Sequence, residues 1–549
     1  MVALSRVAAG PCVVEEPVHA RNLHAREPGG PTFAQSGSAA VRAVGGTLSG
    51  KPLMHERGKS DDPVVPAKPP NKAGGPVAEV VEGRGSVEGN TASETRAGRR
   101  AGICASSDLE RVRRVALKGR DTRLTALLHH VSVDRLRSSF RALRPRAAAG
   151  VDGVTWHEYE HGLEGNLRDL HARVHRGAYR AKPSRRSYIT KADGGLRPLG
   201  IAALEDKIVQ RAVVEVLNAI YETDFLGFSY GFRPGRSPHH ALDALAVGIE
   251  RKKVNWVLDA DIRDCFGSID PAWLGKMLEH RVADRRVLRL VEKWLAAGVM
   301  EDGSWTVSDT GVPQGATVSP LLANVYLHYV FDLWAHQWRR RHARGDIVLS
   351  RFADDFVVGF QHRDDAERFL ADLRERFARF GLELHPEKTR LIEFGRFAAA
   401  DRHKRGEGKP ETFRFLGFTH ACVRTRNGGF RLGRVTDKKR MRAKRRSVRV
   451  ELRRRMHLPI SEQGAWLRSV LTGHLNYYGV PGNSEALAAF RFQLVRDWWA
   501  ALTRRSQRSR LSWTRMSAIV ARWLPRVHIT HPWPRARFDA RTQDRSPVR

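Results

Sequence analysis

Apolar residues along this chain recur with two periods, one typical of helices and one typical of strands. Helical spacing begins after Asp108 and predicts helices over seven ranges: 124–131, 136–143, 156–174, 204–220, 271–297, 317–338 and 366–380. Short runs of β-branched and aromatic residues predict a strand at 256–258, a hairpin over 185–201, and two strands at 347–349 and 356–358, on either side of Asp354 and Asp355. The pattern as a whole predicts an α+β fold.

The pattern also divides the chain into four parts. Residues 1–105 are rich in Gly, Pro, Ala and Ser and show neither period, so we expect a disordered leader. Residues 106–435 carry the α+β pattern, and residues 436–540 are mostly helical, basic and rich in aromatic residues. Residues 541–549 form a short tail.

Charge narrows the class of partner. The chain of 549 residues has a formal net charge of +36, from 95 Lys and Arg against 59 Asp and Glu. Such a field attracts polyanions and favours binding to phosphate backbones. No apolar run reaches the about 18 residues of a membrane-spanning helix, so we expect no membrane partner. The four cysteines, at 12, 104, 265 and 422, form no CxxC pair, which argues against a zinc site and favours a reducing compartment.

Two adjacent carboxylates, Asp354 and Asp355, lie between the two apolar strands of a predicted hairpin. Such a pair is unfavourable in apolar surroundings unless a positive group binds there. Mg²⁺ is the natural candidate, because it prefers a few carboxylates together with substrate phosphates. Asp261 ends the strand at 256–258, and if that strand lies beside the hairpin, Asp261 and the pair can share two cations. The alternative for the pair alone is a solvated turn.

Seven motifs, in order, resemble those of group II intron-encoded reverse transcriptases and maturases, over about residues 110–540. They are Lys191-Ala-Asp-Gly-Gly-Leu-Arg-Pro-Leu-Gly-Ile201, Gly231-Phe-Arg-Pro-Gly-Arg-Ser237, Asp261-Ile-Arg-Asp-Cys-Phe266, Gly311-Val-Pro-Gln-Gly-Ala-Thr-Val-Ser-Pro320, Phe352-Ala-Asp-Asp355, Glu387-Lys-Thr389 and Phe415-Leu-Gly-Phe418. The resemblance implies a right-hand polymerase, with fingers, a palm with an antiparallel sheet, and a helical thumb and maturase domain.

The resemblance also implies site residues. Asp261, Asp354 and Asp355 would be the catalytic residues and the ligands of two Mg²⁺ ions, and Asp261 is chosen over Asp259 because it matches the motif. Residues implied in nucleotide binding are Lys191 and Arg197 as triphosphate contacts, Phe266 as a gate that excludes ribonucleotides, Gln314 beside the new base pair, and Lys388 as a proton donor to pyrophosphate. The alternatives are a plain exposed hairpin for Lys191, core packing for Phe266 and a surface lysine for Lys388.

Two positions depart from the family pattern. Phe352 stands where the family commonly has Tyr, and Gly267 follows Phe266 where the family often has Asp. The first departure removes only a hydroxyl group. The second puts local hydrogen bonding in doubt, but not the metal ligands.

The basic C-terminal part resembles the family's thumb and maturase segment, which implies contact with RNA. Basic side chains can follow phosphates, and aromatic faces can stack on unpaired bases. The candidate RNA-binding residues are Lys438, Lys439, Arg440, Lys444, Arg445, Arg446, Arg504, Arg505 and Arg508. Trp498 fits one helical face with Leu494 and Leu502 and is expected in the core, and His474 is expected to be structural.

The predicted function is therefore an RNA-directed DNA polymerase that also binds its group II intron RNA to promote splicing and mobility. Expected partners are that RNA, an RNA template with a DNA primer, dNTPs and target DNA, in a bacterial cytoplasm. Only a short tail follows Phe538, so no DNA endonuclease module is expected. The alternatives are a non-catalytic RNA-binding splicing factor and a retron-like or defence-associated reverse transcriptase.

Overall fold

The computed structural model describes residues 108–190, 195–301, 304–306, 311–506 and 511–542, all of which belong to one compact unit. The predicted leader, 1–105, and the tail from residue 543 lie outside the described residues. Within them the predicted mixture of helices and antiparallel sheets is confirmed.

The first part of the described chain is helical. Its elements are α1 (residues 108–118), a 3₁₀ turn (Leu128–His130), α2 (Val133–Arg141), α3 (Trp156–His161) and α4 (Leu163–His175). The predicted single helix over 156–174 is wrong, because it is divided at Gly162. The Thr155 side chain caps the start of α3 in a reciprocal capping box with Glu158.

The middle part alternates strands and helices. Its first elements are β1 (Ser184–Thr190), β2 (Leu196–Ile201), α5 (Leu204–Asp224), α6 (Pro238–Arg251), β3 (Trp256–Asp261), α7 (Pro271–Glu279), α8 (Arg285–Ala296), β4 (Val299–Glu301) and β5 (Ser304–Thr306). They are followed by α9 (Ser319–Leu327), a π-helical turn (His328–Asp332), α10 (Leu333–Arg341), β6 (Ile347–Phe352), β7 (Asp355–Phe360), α11 (Arg363–Arg379), β8 (Arg390–Glu393), α12 (Ala398–Lys404), β9 (Phe413–Phe415), β10 (Phe418–Arg424) and β11 (Phe430–Thr436).

These strands form three sheets in the described residues. The first has the order β2-β1-β4-β5, with β1 antiparallel to β2 and parallel to β4. The central sheet has the order β6-β7-β3-β8 and is antiparallel throughout. The third is a small antiparallel sheet, β11-β10-β9. The predicted hairpin over 185–201, the strand before Asp261 and the hairpin around Asp354 are confirmed.

The predicted helix over 271–297 is wrong, because a turn separates α7 from α8. Arg281 in this turn is buried and donates to the carbonyl oxygens of Gly119 and Thr122 at 2.6 and 3.0 Å. Asp284 caps α8 and also accepts hydrogen bonds from the backbone N–H groups of Leu127 and Leu128, both at 2.9 Å. The two polar residues therefore tie the break to the N-terminal helices.

The predicted helix over 317–338 is confirmed as a helical stretch, with one local change. A single π-helical turn, His328–Asp332, interrupts it and connects α9 to α10. π-turns insert a residue into the helix and often occur at functional sites. Here the turn buries both His328 and Asp332 behind the central sheet.

The C-terminal part is helical: α13 (Lys438–Arg454), α14 (Ile460–Tyr478), α15 (Ser484–Thr503), α16 (Trp513–Trp523) and α17 (Pro534–Thr542). It has its own apolar core, in which Trp498 is fully buried and donates its indole N–H to Gln463. The expected core position of Trp498 is therefore confirmed. His474 is also buried, stacked on Phe490 with ring centroids 3.9 Å apart.

The chain after α16 returns to the central part and forms a clasp (residues 530–539). The backbone N–H groups of Thr530 and His531 both donate to the Gly479 carbonyl at 2.9 Å. Farther along, Asp539 pairs with Arg251 at 3.0 Å, and Arg537 lies 3.3 Å from Asp243; both partners are on α6. The clasp therefore connects α14 to α6. Among the helices that the structure describes, none combines the length and apolar character needed to cross a bilayer.

Candidate active site

The hairpin of β6 and β7 turns at Ala353 and Asp354, because Phe352 and Asp355 are paired across it. Ala353 has a φ of 59°, a conformation that non-glycine residues rarely adopt and that carries a conformational cost. This tight turn places two consecutive carboxylates at one end of the central sheet.

Asp261 reaches the same end of the sheet from β3. Its Cα is paired in register with that of Asp355 on β7. Asp259, two residues earlier, points to the same face of β3 because side chains alternate along a strand. The structure thus brings Asp261, Asp354 and Asp355 together and adds Asp259, the carboxylate that the sequence argument set aside.

The electrostatics of this cluster show an excess of negative charge. Burial, together with the neighbouring carboxylates of Asp354, Asp261 and Asp259, raises the pKa of Asp355 to about 7, against the opposing effect of Arg440. Burial also raises the pKa of Asp259 to about 6, despite the positive charge of Arg390. Charged carboxylates in this site are therefore unfavourable without an added cation.

Lys388 provides one such cation. Its Nζ donates to Asp261 Oδ2 at 2.5 Å, and the backbone N–H of His385 donates to the Asp261 carbonyl at 2.8 Å. No group of three or more His, Cys, Asp or Glu side chains in the described ranges is arranged to hold a metal ion as it stands. The donor set itself fits Mg²⁺, since it consists of carboxylate oxygens with excess negative charge.

Gly231, the first residue of its motif, lies directly behind the hairpin turn. A Cβ atom on this residue would lie 2.2 Å from the Ala353 nitrogen and 2.8 Å from the Phe352 carbonyl carbon. Only glycine allows the two backbones to approach so closely. Arg233 in the same motif is buried and paired with Glu222 on α5, so the motif is anchored to that helix.

The loop that contains Gln314 connects the first sheet to the segment after β3. The Gly200 N–H on β2 donates to the Gln314 carbonyl at 2.6 Å, and Gln314 Nε2 lies 3.5 Å from Asp264 Oδ1. Gly315 has a φ of 106°, and a Cβ there would meet the Gly200 carbonyl oxygen at 2.6 Å. Gln314 is therefore fixed between β2 and the Asp261 segment.

Phe266 is half-buried and packs against the main apolar core, and its carbonyl accepts a hydrogen bond from Val312 at 2.7 Å. A Cβ on Gly267 would lie 2.2 Å from an Asp264 carboxylate oxygen, and Gly267 also contacts Gly311 closely. A side chain at 267 would therefore displace the Asp264 side chain.

Two expected phosphate contacts are only partly described. Lys191 lies outside the described residues. The backbone of Arg197 lies in β2, paired with Ile189. Of the expected hairpin, the structure describes the strands β1 and β2 but not residues 191–194.

The basic helix α13 starts close to the acidic cluster, because Arg440 acts on the pKa of Asp355. Lys438, Lys439, Arg440 and Arg446 are exposed, whereas Lys444 is half-buried. Arg445 instead pairs with Asp497 on α15 through two hydrogen bonds of 2.8 and 3.1 Å.

The remaining candidate arginines differ in the same way. Arg504 is exposed, and Arg508 lies outside the described residues. Arg505 donates to the carbonyl oxygens of Met456 and Leu458, so it connects the end of α15 to the turn before α14. The candidate RNA-binding residues are thus of two kinds: exposed residues, and residues such as Arg445 and Arg505 that hold helices together.

Arg351, which was not among the predicted site residues, lies in β6 just before the turn and is fully buried. A signal was present, since a charged residue interrupts an otherwise apolar strand three residues before Asp354. Its partners could not be read from the sequence, because Asp332 and Asn324 lie on other elements.

Comparison with known proteins agrees with this geometry. Residues 189–420 match the family described as reverse transcriptase (RNA-dependent DNA polymerase). Protein YkfC of Escherichia coli is 35% identical over 238 residues, which are 38% of this chain and 62% of that protein. The group II intron-encoded protein LtrA of Lactococcus lactis is 33% identical over 222 residues, 40% of this chain and 37% of LtrA.

A protein in a cob intron of Schizosaccharomyces pombe is 44% identical over 189 residues, 34% of this chain and 23% of that protein. The matched segment thus spans less than two thirds of the length of each of these relatives. Residues 189–420, which match the reverse transcriptase family, contain the acidic hairpin, its partner strand β3 and the Gln314 loop. The chain therefore carries a reverse transcriptase domain over residues 189–420 and is similar, over part of its length, to proteins encoded by group II introns.

Proposed function

We propose that this protein is an RNA-directed DNA polymerase that also binds a group II intron RNA to promote its splicing and mobility. The single observation that carries the polymerase proposal is the register of β3 and β7, which pairs Asp261 with Asp355 next to the Asp354 turn. Polymerases need carboxylates converging in this way on the atoms that react. The domains would then be fingers and palm over residues 106–435, and a thumb and maturase domain over 436–540.

Asp261, Asp354 and Asp355 would hold two Mg²⁺ ions. When bound, the ions lower the pKa of a primer 3′-hydroxyl and neutralise the triphosphate. The protein supplies the geometry: β3 and β7 hold their carboxylates in register, and the turn at Ala353 fixes the third. Asp259 adds negative charge beside the ligands without matching the family motif.

The nucleotide would lie between β2 and the segment after β3. Lys191 and Arg197 would contact the triphosphate from the hairpin, where a guanidinium can bind two oxygens and an ammonium acts as a point charge. Gln314, fixed between Gly200 and Asp264, would contact the new base pair. Phe266 would lie beneath the sugar and exclude a 2′-hydroxyl group.

Lys388 would act at the leaving group. Its ammonium bonds to Asp261 Oδ2 in this structure, at the position where the chemistry takes place. Once Asp261 exchanges this bond for a cation, Lys388 Nζ is free to donate its proton to the departing pyrophosphate.

The exposed basic residues of α13 support RNA binding. Lys438, Lys439, Arg440 and Arg446 are exposed along a helix that begins beside the acidic cluster, so a bound nucleic acid would extend from the site along this helix. Splicing chemistry would belong to the RNA, and the protein would stabilise its folded state by binding it preferentially. These partners place the protein in the cytoplasm with nucleic acid.

A primer-extension assay tests the polymerase proposal. Purified protein should extend a DNA primer on an RNA template with Mg²⁺ and dNTPs, and Asp354→Asn should reduce extension to background while retaining RNA binding. Asp364→Asn, a change at an exposed carboxylate on α11, serves as the control. RNA binding without any extension by the wild-type protein would favour the non-catalytic splicing factor instead.

Co-purification tests the maturase proposal. Protein expressed with an intact group II intron should retain that RNA selectively over a same-length control transcript. Equal retention of both RNAs would contradict maturase function while leaving the polymerase proposal intact, and would favour a retron-like enzyme.

A further inference from the structure

A fully buried ion pair lies directly behind the acidic hairpin turn. Arg351 on β6 and Asp332 in the π-helical turn both have 0% exposed side-chain area. Two hydrogen bonds join them, from Arg351 Nε at 2.7 Å and from NH2 at 2.6 Å. Burying two charges is costly, and an apolar pair of similar size is often equally stable, so stability alone does not explain this pair.

The guanidinium uses all five of its N–H donors. Besides the two bonds to Asp332, NH1 donates to Asn324 Oδ1 at 3.1 Å and to the Ala353 carbonyl at 2.9 Å. NH2 also donates to Ser229 Oγ at 2.7 Å. A planar fork with five satisfied donors fixes direction as well as charge, which neither a lysine nor an apolar residue can do.

These bonds end on the turn that carries the catalytic carboxylates. Ala353 immediately precedes Asp354 and has the unfavourable φ of 59°. Asn324 Nδ2, in turn, donates at 2.7 Å to the carbonyl of Gly231, the glycine that contacts the Ala353 nitrogen. The turn is therefore held from its carbonyl side by Arg351 and from its nitrogen side by Gly231.

We infer that Arg351, oriented by Asp332 and Asn324, is a positioning residue for Asp354 and Asp355. It acts by holding the Ala353 carbonyl, and with it the direction in which the two carboxylates leave the sheet. The inference rests on the proposed polymerase function and adds to it a residue that touches neither substrate nor ion.

Arg351→Lys is the main test, because it keeps the charge beside Asp332 but has three donors and no fork. The maximal extension rate at saturating dNTP should fall by about tenfold or more, since small misplacements of reacting groups cost up to about 100-fold. The KM for dNTP should change little, because the nucleotide contacts lie elsewhere. The affinity for Mn²⁺, measured by electron paramagnetic resonance, should also fall by about tenfold for the same reason.

Arg281→Lys is the matched control. Arg281 is also buried, pairs with Asp224 at 2.9 Å and donates to backbone carbonyls, but it lies in the turn between α7 and α8. Its variant should lose thermal stability to a similar degree while keeping the extension rate and Mn²⁺ affinity, both measured below either unfolding transition. If the two variants lose activity in proportion to their loss of stability, the positioning role is overturned.

Asn324→Ala provides a second variant if Arg351→Lys does not fold. It removes the bonds to Arg351 and to the Gly231 carbonyl without leaving a buried charge unpaired, and it should lower the maximal rate more than the KM. Wild-type rate and Mn²⁺ affinity in this variant would overturn the inference.

The two proposals fail separately. A wild-type protein that binds Mn²⁺ through Asp354 but makes no DNA contradicts the polymerase function. In that case Mn²⁺ affinity alone decides the positioning role: weaker binding in Arg351→Lys than in Arg281→Lys supports it, and equal binding overturns it.

Discussion

Asp261 and Asp355 face each other in register on neighbouring antiparallel strands, and the Asp261 carboxylate contributes to the raised pKa of Asp355. The pKa of Asp355 is raised from the ordinary value of 3.8 to about 7, so this group opposes folding fully above pH 7, and the opposition decreases as the pH falls and disappears below about 4. The acidic cluster therefore carries its negative charge at the expense of stability.

Asp355→Asn should accordingly stabilise the metal-free protein. We expect the free energy of unfolding at pH 8 to rise by about 2 kcal/mol, because a neutral amide removes the repulsion. Thermal unfolding in EDTA measures this, and primer extension by the same variant should fall to background. Asp364→Asn should change neither quantity, and a destabilised Asp355→Asn would mean that the carboxylate has a structural role.

Gly231→Ala should disrupt the turn that carries Asp354. The added Cβ would lie 2.2 Å from the Ala353 nitrogen, so either backbone must move, at a cost of about 2 kcal/mol or more. We expect lower thermal stability and a loss of extension at temperatures where the variant is still folded. Gly275→Ala, in α7 with open space around it, should instead raise stability by about 1 kcal/mol. Full activity in Gly231→Ala would show that the turn tolerates movement.

Phe266→Ala should admit ribonucleotides. Removing the ring opens space beneath the proposed sugar position, and we expect incorporation of rNTP relative to dNTP to rise by about tenfold or more. Competition assays with one primer and template measure this ratio. Phe266→Tyr keeps the bulk and should keep the selectivity. If Phe266→Ala lowers stability but leaves the ratio unchanged, the residue is only part of the core.

Arg446 and Arg445 should differ although they are adjacent. Arg446→Gln should weaken RNA binding and reduce the slope of log affinity against log salt by about 0.7–0.9, the value for one phosphate contact. Arg445→Gln should instead lower the unfolding temperature, since it removes the ion pair with the buried carboxylate of Asp497 on α15. Binding titrations at several salt concentrations measure the slopes. Equal slopes for the two variants would contradict an RNA-binding face at Arg446.

His420 should make the protein sensitive to acid. Burial lowers its pKa to about 3, so the folded state stays unprotonated while the unfolded chain takes up a proton below about 6.5. This proton uptake costs about 2 kcal/mol of stability at pH 5 and nothing at pH 8. His420→Phe should therefore gain stability relative to the wild type as the pH falls from 8 to 5, as followed by thermal unfolding. A stability difference between His420→Phe and the wild type that stays constant from pH 8 to pH 5 would contradict this account.

The acidic site could be predicted from the sequence because its signals are local. Short apolar runs on either side of Asp354 and Asp355 indicate two strands, and a similar run precedes Asp261. The predicted helix over 271–297 was wrong because of contacts with residues that are distant in the sequence. Arg281 breaks the predicted helix over 271–297 by binding the Gly119 and Thr122 carbonyls, which lie far away in the sequence.

The hydrogen-bond partners of Arg351 could not be predicted from the sequence either. Asp332, which bonds to Arg351, lies in a π-turn, and no apolar period in the sequence indicates such a turn. The basic C-terminal residues were predicted as one group from composition. Their separation into exposed residues and residues that bond to Asp497 or to helix ends depends on how α13 to α15 pack.

The clasp at residues 530–539 has a consequence for the order of assembly. Asp539 and Arg251 are separated by 288 positions, so the contact between α17 and α6 closes a very long loop. Contacts across long loops form late in folding, because their entropy cost is met only after the local parts are in place. The central sheet and the C-terminal helical core can therefore each condense first, and the angle between them is set in a final docking event. Cutting the chain after Trp523 should leave both parts folded and their mutual orientation loose.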